Sequence, residues 1–312
     1  MDTHEYTGTK LIAVILFLLL AWTPAIAQDA SANSARFAII GDFGTGLMEH
    51  EGYVASMVSS WGPDFIITTG DNRYGAIVYD IAIGQFYCDF LSGVGSGSYC
   101  TGDDRVSNAF FPCLGNHDYT DGYGVNSYLD YFTLPGSGID SSNTSGSERY
   151  YDFIKGPVHF FVIDSQRALI STSDKTSQMK WLQAQLAAST APWQVVYFHH
   201  PPYSSATHGS NPTVQWPFAS WGADVVVSGH DHTYERISAN RITYFVNGLG
   251  GRSIYTFNDP VPGSQVRYNG DYGAMLVEAD KTSIRFKFIN LSGSVVDAYT
   301  IHSTSINPVP LL

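Results

Sequence analysis

Five segments of the sequence place Asp, Asn, Tyr or His directly after a short apolar run. They are Gly41-Asp42-Phe43-Gly44, Gly70-Asp71-Asn72-Arg73-Tyr74, Gly115-Asn116-His117-Asp118, His199-His200 and Gly229-His230-Asp231-His232. Carboxylate, phenolate, amide and imidazole groups are the usual protein ligands of metal ions. Each segment alone is a weak indication, because a Gly-Asp pair is common in turns. Together, the five predict one metal site.

The apolar runs before these segments predict the strands that position them. These runs are Phe37–Ile40, Phe65–Thr69, Phe110–Leu114, Val195–Phe198 and Val225–Val227, and further strands are predicted at Val158–Ile163, Ile242–Val246, Ala274–Ala279, Ser283–Ile289 and Val295–Ile301. The early runs are almost continuously apolar, which is typical of strands covered on both faces. Side chains at strand ends in an open sheet converge on one crevice, so the five segments are expected to meet.

Helical patterns lie between some of the strands. One covers Leu47–Trp61 and another covers Asp174–Ser189, with Pro192 after its end. Alternating strands and helices predict an α/β fold with layers of helix over packed sheets. No internal repeat or linker divides the chain, so residues 28–312 are expected to form one domain.

The N-terminus resembles a secretory signal. Leu11 to Trp22 is an apolar run of 12 residues, and Ala25-Ile26-Ala27 is a small-residue cleavage pattern. A bilayer needs about 20 apolar residues, so the run is too short for a spanning helix. The pattern predicts a signal peptide at residues 1–27 and a secreted chain beginning at Gln28. The alternative is an uncleaved membrane anchor.

Composition narrows the classes of function. With 44% hydrophobic residues and 14% aromatic residues, the 312-residue chain can bury a large core. A net charge of −12 argues against a nucleic-acid partner, which would require a basic face. Three cysteines are too few for a disulfide scaffold. Cys88 and Cys100 are predicted to pair in an oxidising compartment, and Cys113, inside an apolar run, is predicted to be a buried free thiol.

The order of the five segments resembles the signature of the calcineurin-like metallophosphoesterases. Tyr74 is similar to the tyrosine that marks purple acid phosphatases within that superfamily, and the compact, tartrate-resistant members are the most similar. The resemblance extends from Arg36 to the C-terminus, whereas Arg73 and the loop through Cys100 match no part of the pattern. It implies a four-layer αββα sandwich with two metals at the strand ends.

The resemblance also implies a ligand map. It assigns ferric iron to Asp42, Asp71, Tyr74 and His232, and a divalent metal (zinc, manganese or ferrous iron) to Asp71, Asn116, His199 and His230. Asp71 would bridge the two metals. Ligand chemistry agrees, because a trivalent ion prefers carboxylate and phenolate oxygen, while imidazole and amide groups suit a divalent ion.

His117 and His208 match the two family histidines that face the substrate, a small phosphate ester. The implied reaction is that of an acid phosphatase: a phosphate monoester is hydrolysed when a hydroxide generated at the metals attacks phosphorus. His117, oriented by Asp118 or another acceptor, would protonate the leaving oxygen. His200 is expected either to contact the metal ligands without binding a metal itself or to pack in the interior.

Two other functions remain open on the sequence. One is a phosphodiesterase or nucleotidase of the same fold, since the metal ligands do not define the leaving-group pocket. The other is a metal-holding protein without catalysis, which is less favoured because every ligand position is filled and His117 is present. A di-zinc or di-manganese site beside a turn-packing Tyr74 is the alternative to iron.

Overall fold

The structure is a computed structural model that describes Met1 and residues 33–95, 97–101, 105–139 and 144–303. The predicted signal peptide, apart from Met1, and the predicted cleavage site lie outside the described residues. Within those ranges, no helix has both the length and the apolar character needed to cross a membrane.

The described strands form two sheets. In chain order they are β1 Ser34–Ile40, β2 Phe65–Thr68, β3 Phe110–Pro112, β4 Tyr151–Lys155, β5 Val158–Val162, β6 Trp193–Tyr197, β7 Val225–Ser228, β8 Tyr234–Ala239, β9 Ile242–Asn247, β10 Ser264–Tyr268, β11 Gly273–Asp280, β12 Ser283–Asn290 and β13 Val295–His302. The first sheet has the order β13-β12-β11-β1-β2-β3, and the second has the order β10-β8-β9-β7-β6-β5-β4.

The helices are mostly short. They are α1 Tyr53–Ser60, α2 Gln85–Tyr87, α3 Asn116–Thr120, α4 Val125–Tyr131, α5 Ser165–Ile170, α6 Thr172–Ala188 and α7 Phe218–Trp221, with 3₁₀ turns at Cys88–Phe90 and Pro212–Val214, a π-helical turn at Asp80–Gly84 and a kinked segment at Met48–Gly52.

The parallel strands of both sheets bring the predicted segments to one edge. In the first sheet β1, β2 and β3 run parallel, and β1 also pairs antiparallel with β11. In the second sheet β5, β6, β7 and β9 run parallel. All five segments follow the carboxyl ends of parallel strands, as expected for a ligand crevice in such sheets.

Aromatic side chains pack the two sheets together. Phe160 of β5 meets Phe37 of β1 and Phe65 of β2 edge to face, with ring centroids 5.1 and 5.5 Å apart. This arrangement is favoured because the positive edge of one ring meets the negative face of another.

The outer faces of the sheets are covered by helices. Phe161, the neighbour of Phe160, points to the opposite face of β5 and joins an apolar cluster with Leu182 and Leu186 of α6. On the other side of the molecule, α1 buries Val54 and packs against β11. The order helix, sheet, sheet, helix confirms the predicted four-layer αββα sandwich, and it explains why the central strands are apolar on both faces.

Several element boundaries differ from the sequence prediction. The helix predicted at Leu47–Trp61 is wrong at its start, because the backbone leaves helical geometry at Glu49 and His50, and α1 begins at Tyr53. Strands β4, β8 and β10 were not predicted. β10 alternates half-buried and exposed residues at a sheet edge, and β8 carries charged side chains whose partners lie far along the chain.

The cysteine predictions are confirmed. Cys88 and Cys100 form a disulfide, and Cys113 is a buried free thiol.

Candidate metal centre

The strand ends bring the predicted ligand residues into one cluster. Asp42 follows β1, Asp71 and Tyr74 follow β2, Asn116 follows β3, His199 follows β6, and His230 and His232 follow β7. Each is buried or half-buried. The donor atoms form two groups that share one carboxylate oxygen.

Four side chains form the first donor set. The Tyr74 phenol oxygen lies 3.1 Å from Asp71 Oδ2, 3.2 Å from His232 Nε2 and 3.4 Å from Asp42 Oδ1. His232 Nε2 is 3.4 Å from Asp42 Oδ1. Donors about 2.0–2.2 Å from a central ion stand about 3.0–3.5 Å from one another. The spacing therefore fits a single coordination shell.

The second donor set surrounds His199. Its Nε2 lies 2.9 Å from Asn116 Oδ1, 3.1 Å from His230 Nδ1 and 3.4 Å from Asp71 Oδ2. The other ring nitrogen, Nδ1, donates to the Thr69 carbonyl at 2.8 Å, so the Nε2 of a neutral ring carries a lone pair. That lone pair faces the amide oxygen of Asn116, which is also a hydrogen-bond acceptor, so the two atoms cannot hydrogen-bond to each other. A cation between them would satisfy both.

Electrostatics agree with a cation at the first set. Burial raises the pKa of Asp42 well above its usual range, and burial together with the charge of Asp42 does the same for Asp71. Burial, followed by the charge of Asp71, raises the pKa of Tyr74. Among the described residues, no Lys or Arg forms an ion pair with either carboxylate. A bound metal ion would supply the missing positive charge.

The site histidines are held in the neutral form that binds metals. Burial lowers the pKa of His199 well below its usual range. Burial, followed by the neighbouring His200, lowers the pKa of His230 to about 2. Burial, followed by the positive charge of Arg252, lowers the pKa of His232 to about 4. Neutral imidazoles offer lone pairs, which is the state required for coordination.

The backbone at the site is strained. Asp42, Asp71 and His230 have φ values of 56°, 51° and 69°, in the left-handed region that non-glycine residues rarely occupy. Such strain costs on the order of 1–3 kcal/mol per residue and is concentrated at functional sites. A Cβ on Gly115 would lie 2.1 Å from Asp71 Oδ1, so this glycine makes room for the carboxylate.

His117 lies beside the donor sets without joining them. Its ring packs 4.4 Å from the Tyr74 ring, and 37% of its side chain is exposed. Nδ1 lies 2.7 Å from Asp121 Oδ2. Of the two expected possibilities, Asp118 or another acceptor, the structure shows the second, and the acceptor is Asp121. Asp118 is buried and accepts hydrogen bonds from Gly115, from Asn72 and from Tyr79.

The rings of His208 and His200 both pack against the His230 ring. The exposed His208 ring stacks on His230 with centroids 4.1 Å apart, and its backbone N–H donates to Asp231 Oδ1 at 2.8 Å. His200 is buried, and its Nδ1 lies 2.9 Å from Ser165 Oγ. Possible ligand atoms of His199, His200 and His230 lie within 4.8 Å of one another.

The loop after β9 adds residues that the sequence reading did not identify. Ser253 Oγ lies 2.7 Å from His232 Nδ1, and the Tyr255 ring stacks on His232 with centroids 4.0 Å apart. The Arg252 guanidinium lies 5.0 Å from the centre of the Tyr74 ring. No motif marks these contacts, because they depend on how the loop folds over the site.

Comparisons with known proteins point to one family. Residues 35–234 match the family described as calcineurin-like phosphoesterase. Tartrate-resistant acid phosphatase type 5 of Mus musculus is 25% identical over 304 residues, which cover 84% of this chain and 86% of the mouse protein.

Two solved structures share the fold. Purple acid phosphatase PPD1 from yellow lupin has a TM-score of 0.65 at 18% identity, covering 87% of this chain and 54% of the lupin chain. GAP50, described as the anchor in the inner membrane complex of Plasmodium, has a TM-score of 0.64 at 20% identity, covering 87% of this chain and 89% of that chain.

Proposed function

The chain belongs to the calcineurin-like phosphoesterase family, and we propose that it is an acid phosphatase of the purple, tartrate-resistant type that hydrolyses phosphate monoesters. One observation carries the proposal. Asp71 Oδ2 lies 3.1 Å from the Tyr74 oxygen and 3.4 Å from His199 Nε2, so one carboxylate oxygen belongs to both donor sets. A shared carboxylate suits two adjacent cations, the arrangement used for phosphate-ester hydrolysis.

The two donor sets differ in chemistry, which supports two different metals. Phenolate and carboxylate oxygens dominate the set that holds Asp42 and Tyr74, and they suit ferric iron. Imidazole and amide groups dominate the set around His199, and they suit zinc, manganese or ferrous iron. When bound, two such cations would neutralise a phosphate group and lower the pKa of water to near neutral or below.

His117 is placed to move a proton. Nδ1 donates to Asp121, so the doubly protonated ring can also donate from the opposite nitrogen, Nε2, to the leaving oxygen of an ester. His208 is exposed and its ring stacks on that of His230, so it is close enough to the second donor set to contact a bound phosphate. We assign His117 as the general acid and His208 as a substrate-binding residue.

Turnover of matched esters tests the function. We expect the metal-loaded protein to hydrolyse p-nitrophenyl phosphate faster than bis(p-nitrophenyl) phosphate, with an optimum below pH 7. Faster turnover of the bis-ester would identify a phosphodiesterase instead. No turnover of either ester by protein with both metals bound would identify a metal-holding protein without catalysis instead.

The absorption spectrum tests the metal assignment. A phenolate on ferric iron gives a visible charge-transfer band, so the protein should be purple to pink. Tyr74→Phe should abolish the colour even when iron is retained, because it removes only the oxygen donor. Tyr255→Phe is the matched control: the same atom is lost from a ring stacked on His232, outside both donor sets, and the colour should remain. Colourless, iron-free protein that is fully active above pH 8 would contradict the assignment.

We also propose that the protein is secreted and that its mature form, residues 28–312, is one domain. The apolar run Leu11–Trp22 and the cleavage pattern ending at Ala27 support processing. The Cys88–Cys100 disulfide adds independent support, because such bonds persist in oxidising compartments. Mass spectrometry of the native protein should find Gln28 at or near its N-terminus. Retention of Met1 through Lys10 would refute this.

A further inference from the structure

We propose that Arg73 is a positioning residue for the proton donor: it fixes Asp121, and Asp121 fixes the His117 ring. The inference rests on the proposed function, since it concerns the group that protonates the leaving oxygen. Arg73 lies outside both donor sets and outside the sequence pattern that identified them.

Asp121 needs support to act on His117. It is the residue directly after α3, and 23% of its side chain is exposed. The chain then passes through Gly122 and Gly124, both with positive φ, into α4. A carboxylate at the end of a short helix, before a glycine-rich turn, would be mobile unless other residues held it.

The segment Arg73-Tyr74-Gly75 provides that support at two points. Arg73 Nη2 donates to the backbone carbonyl of Asp121 at 2.7 Å. The backbone N–H of Gly75 donates to Asp121 Oδ2 at 2.7 Å, and this is the oxygen that faces His117. These two bonds fix both the main chain and the carboxylate of Asp121.

The same segment ties the proton donor to the metal ligands. Between Arg73 and Gly75 lies Tyr74, whose oxygen belongs to the first donor set and whose ring packs against His117. Hydrogen bonds from both sides of Tyr74 therefore set where His117 stands relative to the metal site.

Arg73 is itself rigidly placed. Its side chain is fully buried, and its guanidinium stacks 4.7 Å from the centre of the Tyr79 ring. Tyr79 is fixed in turn by a 2.8 Å hydrogen bond to the buried Asp118. Among the described residues, Arg73 forms no ion pair, and its Nε has no hydrogen-bond partner. Burying a cation in this way lowers stability, so a role in positioning would account for it.

The inference predicts a dependence on the leaving group. Proton donation matters most when the leaving oxygen is strongly basic, as in an alkyl phosphate, and least for p-nitrophenolate. Displacing a catalytic group by about 1 Å can cost roughly 100-fold in rate. Loss of Arg73 should therefore slow alkyl esters selectively, whereas general damage to the fold or to the metals should slow both esters alike.

The experiment compares two substrates across two variants of the metal-loaded enzyme. We expect Arg73→Met to lower kcat about 10- to 100-fold for a primary-alkyl phosphate and less than about threefold for p-nitrophenyl phosphate, with KM little changed. Metal content and the visible absorption band should be unchanged. Asp121→Ala should give the same pattern, and Arg73→Met should add nothing in a His117→Ala background.

A matched control is Arg236→Met. The Arg236 guanidinium also lies 4.7 Å from the centre of a tyrosine ring, that of Tyr299, and it bonds to Asp297. Arg236→Met should change kcat by the same factor for the two esters. Equal slowing of both esters by Arg73→Met, or an added effect in the His117→Ala background, would overturn the inference. If Arg73→Met fails to fold, the fall in kcat for the two esters is compared in Asp121→Ala instead. Equal slowing of both esters by that variant would overturn the inference. A wild-type protein inactive on both esters would instead refute the proposed function.

Discussion

Glu51 offers a quantitative test of the electrostatics beside the site. This carboxyl is buried, and its Oε2 accepts hydrogen bonds of 2.8 Å from the Thr45 N–H, the Thr45 hydroxyl and the Gly46 N–H. Within the described part of the chain, Oε1 has no hydrogen-bond partner. Burial outweighs the hydrogen bonds and raises the pKa of Glu51 from 4.5 to about 8.

The sign and size of the effect follow from this shift. Because the folded-state pKa is raised, the contribution of Glu51 to stability is fully present below about pH 4.5 and is lost as the pH rises to about 8. Each pKa unit corresponds to about 1.4 kcal/mol, so the loss reaches at most about 5 kcal/mol. Glu51→Gln keeps the accepting oxygen and cannot ionise. It should therefore be more stable than wild type above pH 5, by a margin that grows until about pH 8.

Urea unfolding of the metal-loaded protein between pH 4.5 and pH 9 measures this margin. Other titrating groups are the same in both proteins, so their contributions cancel in the difference in unfolding free energy between Glu51→Gln and wild type. Glu49→Gln is the matched control, since Glu49 is exposed and two residues away. A margin that stays constant with pH, or a variant less stable than wild type at pH 8, would refute the reasoning.

Further variants test the site itself. His117→Ala should lower kcat for a primary-alkyl phosphate by roughly 10²–10⁴-fold with both metals retained, and loss of a metal would show that His117 is a ligand. Asn116→Ala and His199→Ala should each deplete the divalent metal, as measured by elemental analysis, and unchanged content in both would overturn the ligand map. His208→Ala should act more weakly and mainly raise KM, so a large fall in kcat at constant KM would contradict a binding role.

The clustering of the predicted donor residues could be anticipated from the sequence because its signal is local. Asp42 and Asp71, for example, each follow a glycine at the end of an almost continuously apolar strand. Parallel strands carry such residues to one edge of a sheet, so order along the chain was enough to predict proximity. The fold class followed from the same strands and from the helices between them.

The support of His117 was predictable only in part. Neighbouring residues on a helix point about 100° apart, so Asp118 faces away from His117, whereas Asp121, four residues on, lies on the same face. Helical spacing alone would have suggested Asp121. Arg73 and Ser253 left no signal, because their contacts depend on loops whose paths are set by tertiary packing.

Strand β8 was missed for a related reason. Its Glu235 and Arg236 do not resemble residues of a covered strand. Their partners are Ser205 for Glu235 and Asp297 for Arg236, at 2.7 Å in each case, and these lie far away in the chain. Local composition cannot show that such charges are satisfied.

The central place of β1 in the first sheet has a consequence for biosynthesis. β1 carries Asp42, and its two neighbours are β2, which leaves the ribosome soon afterwards, and β11, at residues 273–280. Every donor residue precedes residue 233, so the nascent chain contains all of them while one edge of β1 is still unpaired. Unpaired strand edges promote association, and pairing over so long a separation is slow. We therefore expect the metals to bind stably only after the whole polypeptide has been synthesised. The C-terminal strands, which contain no metal ligand, would then determine when the metals can bind.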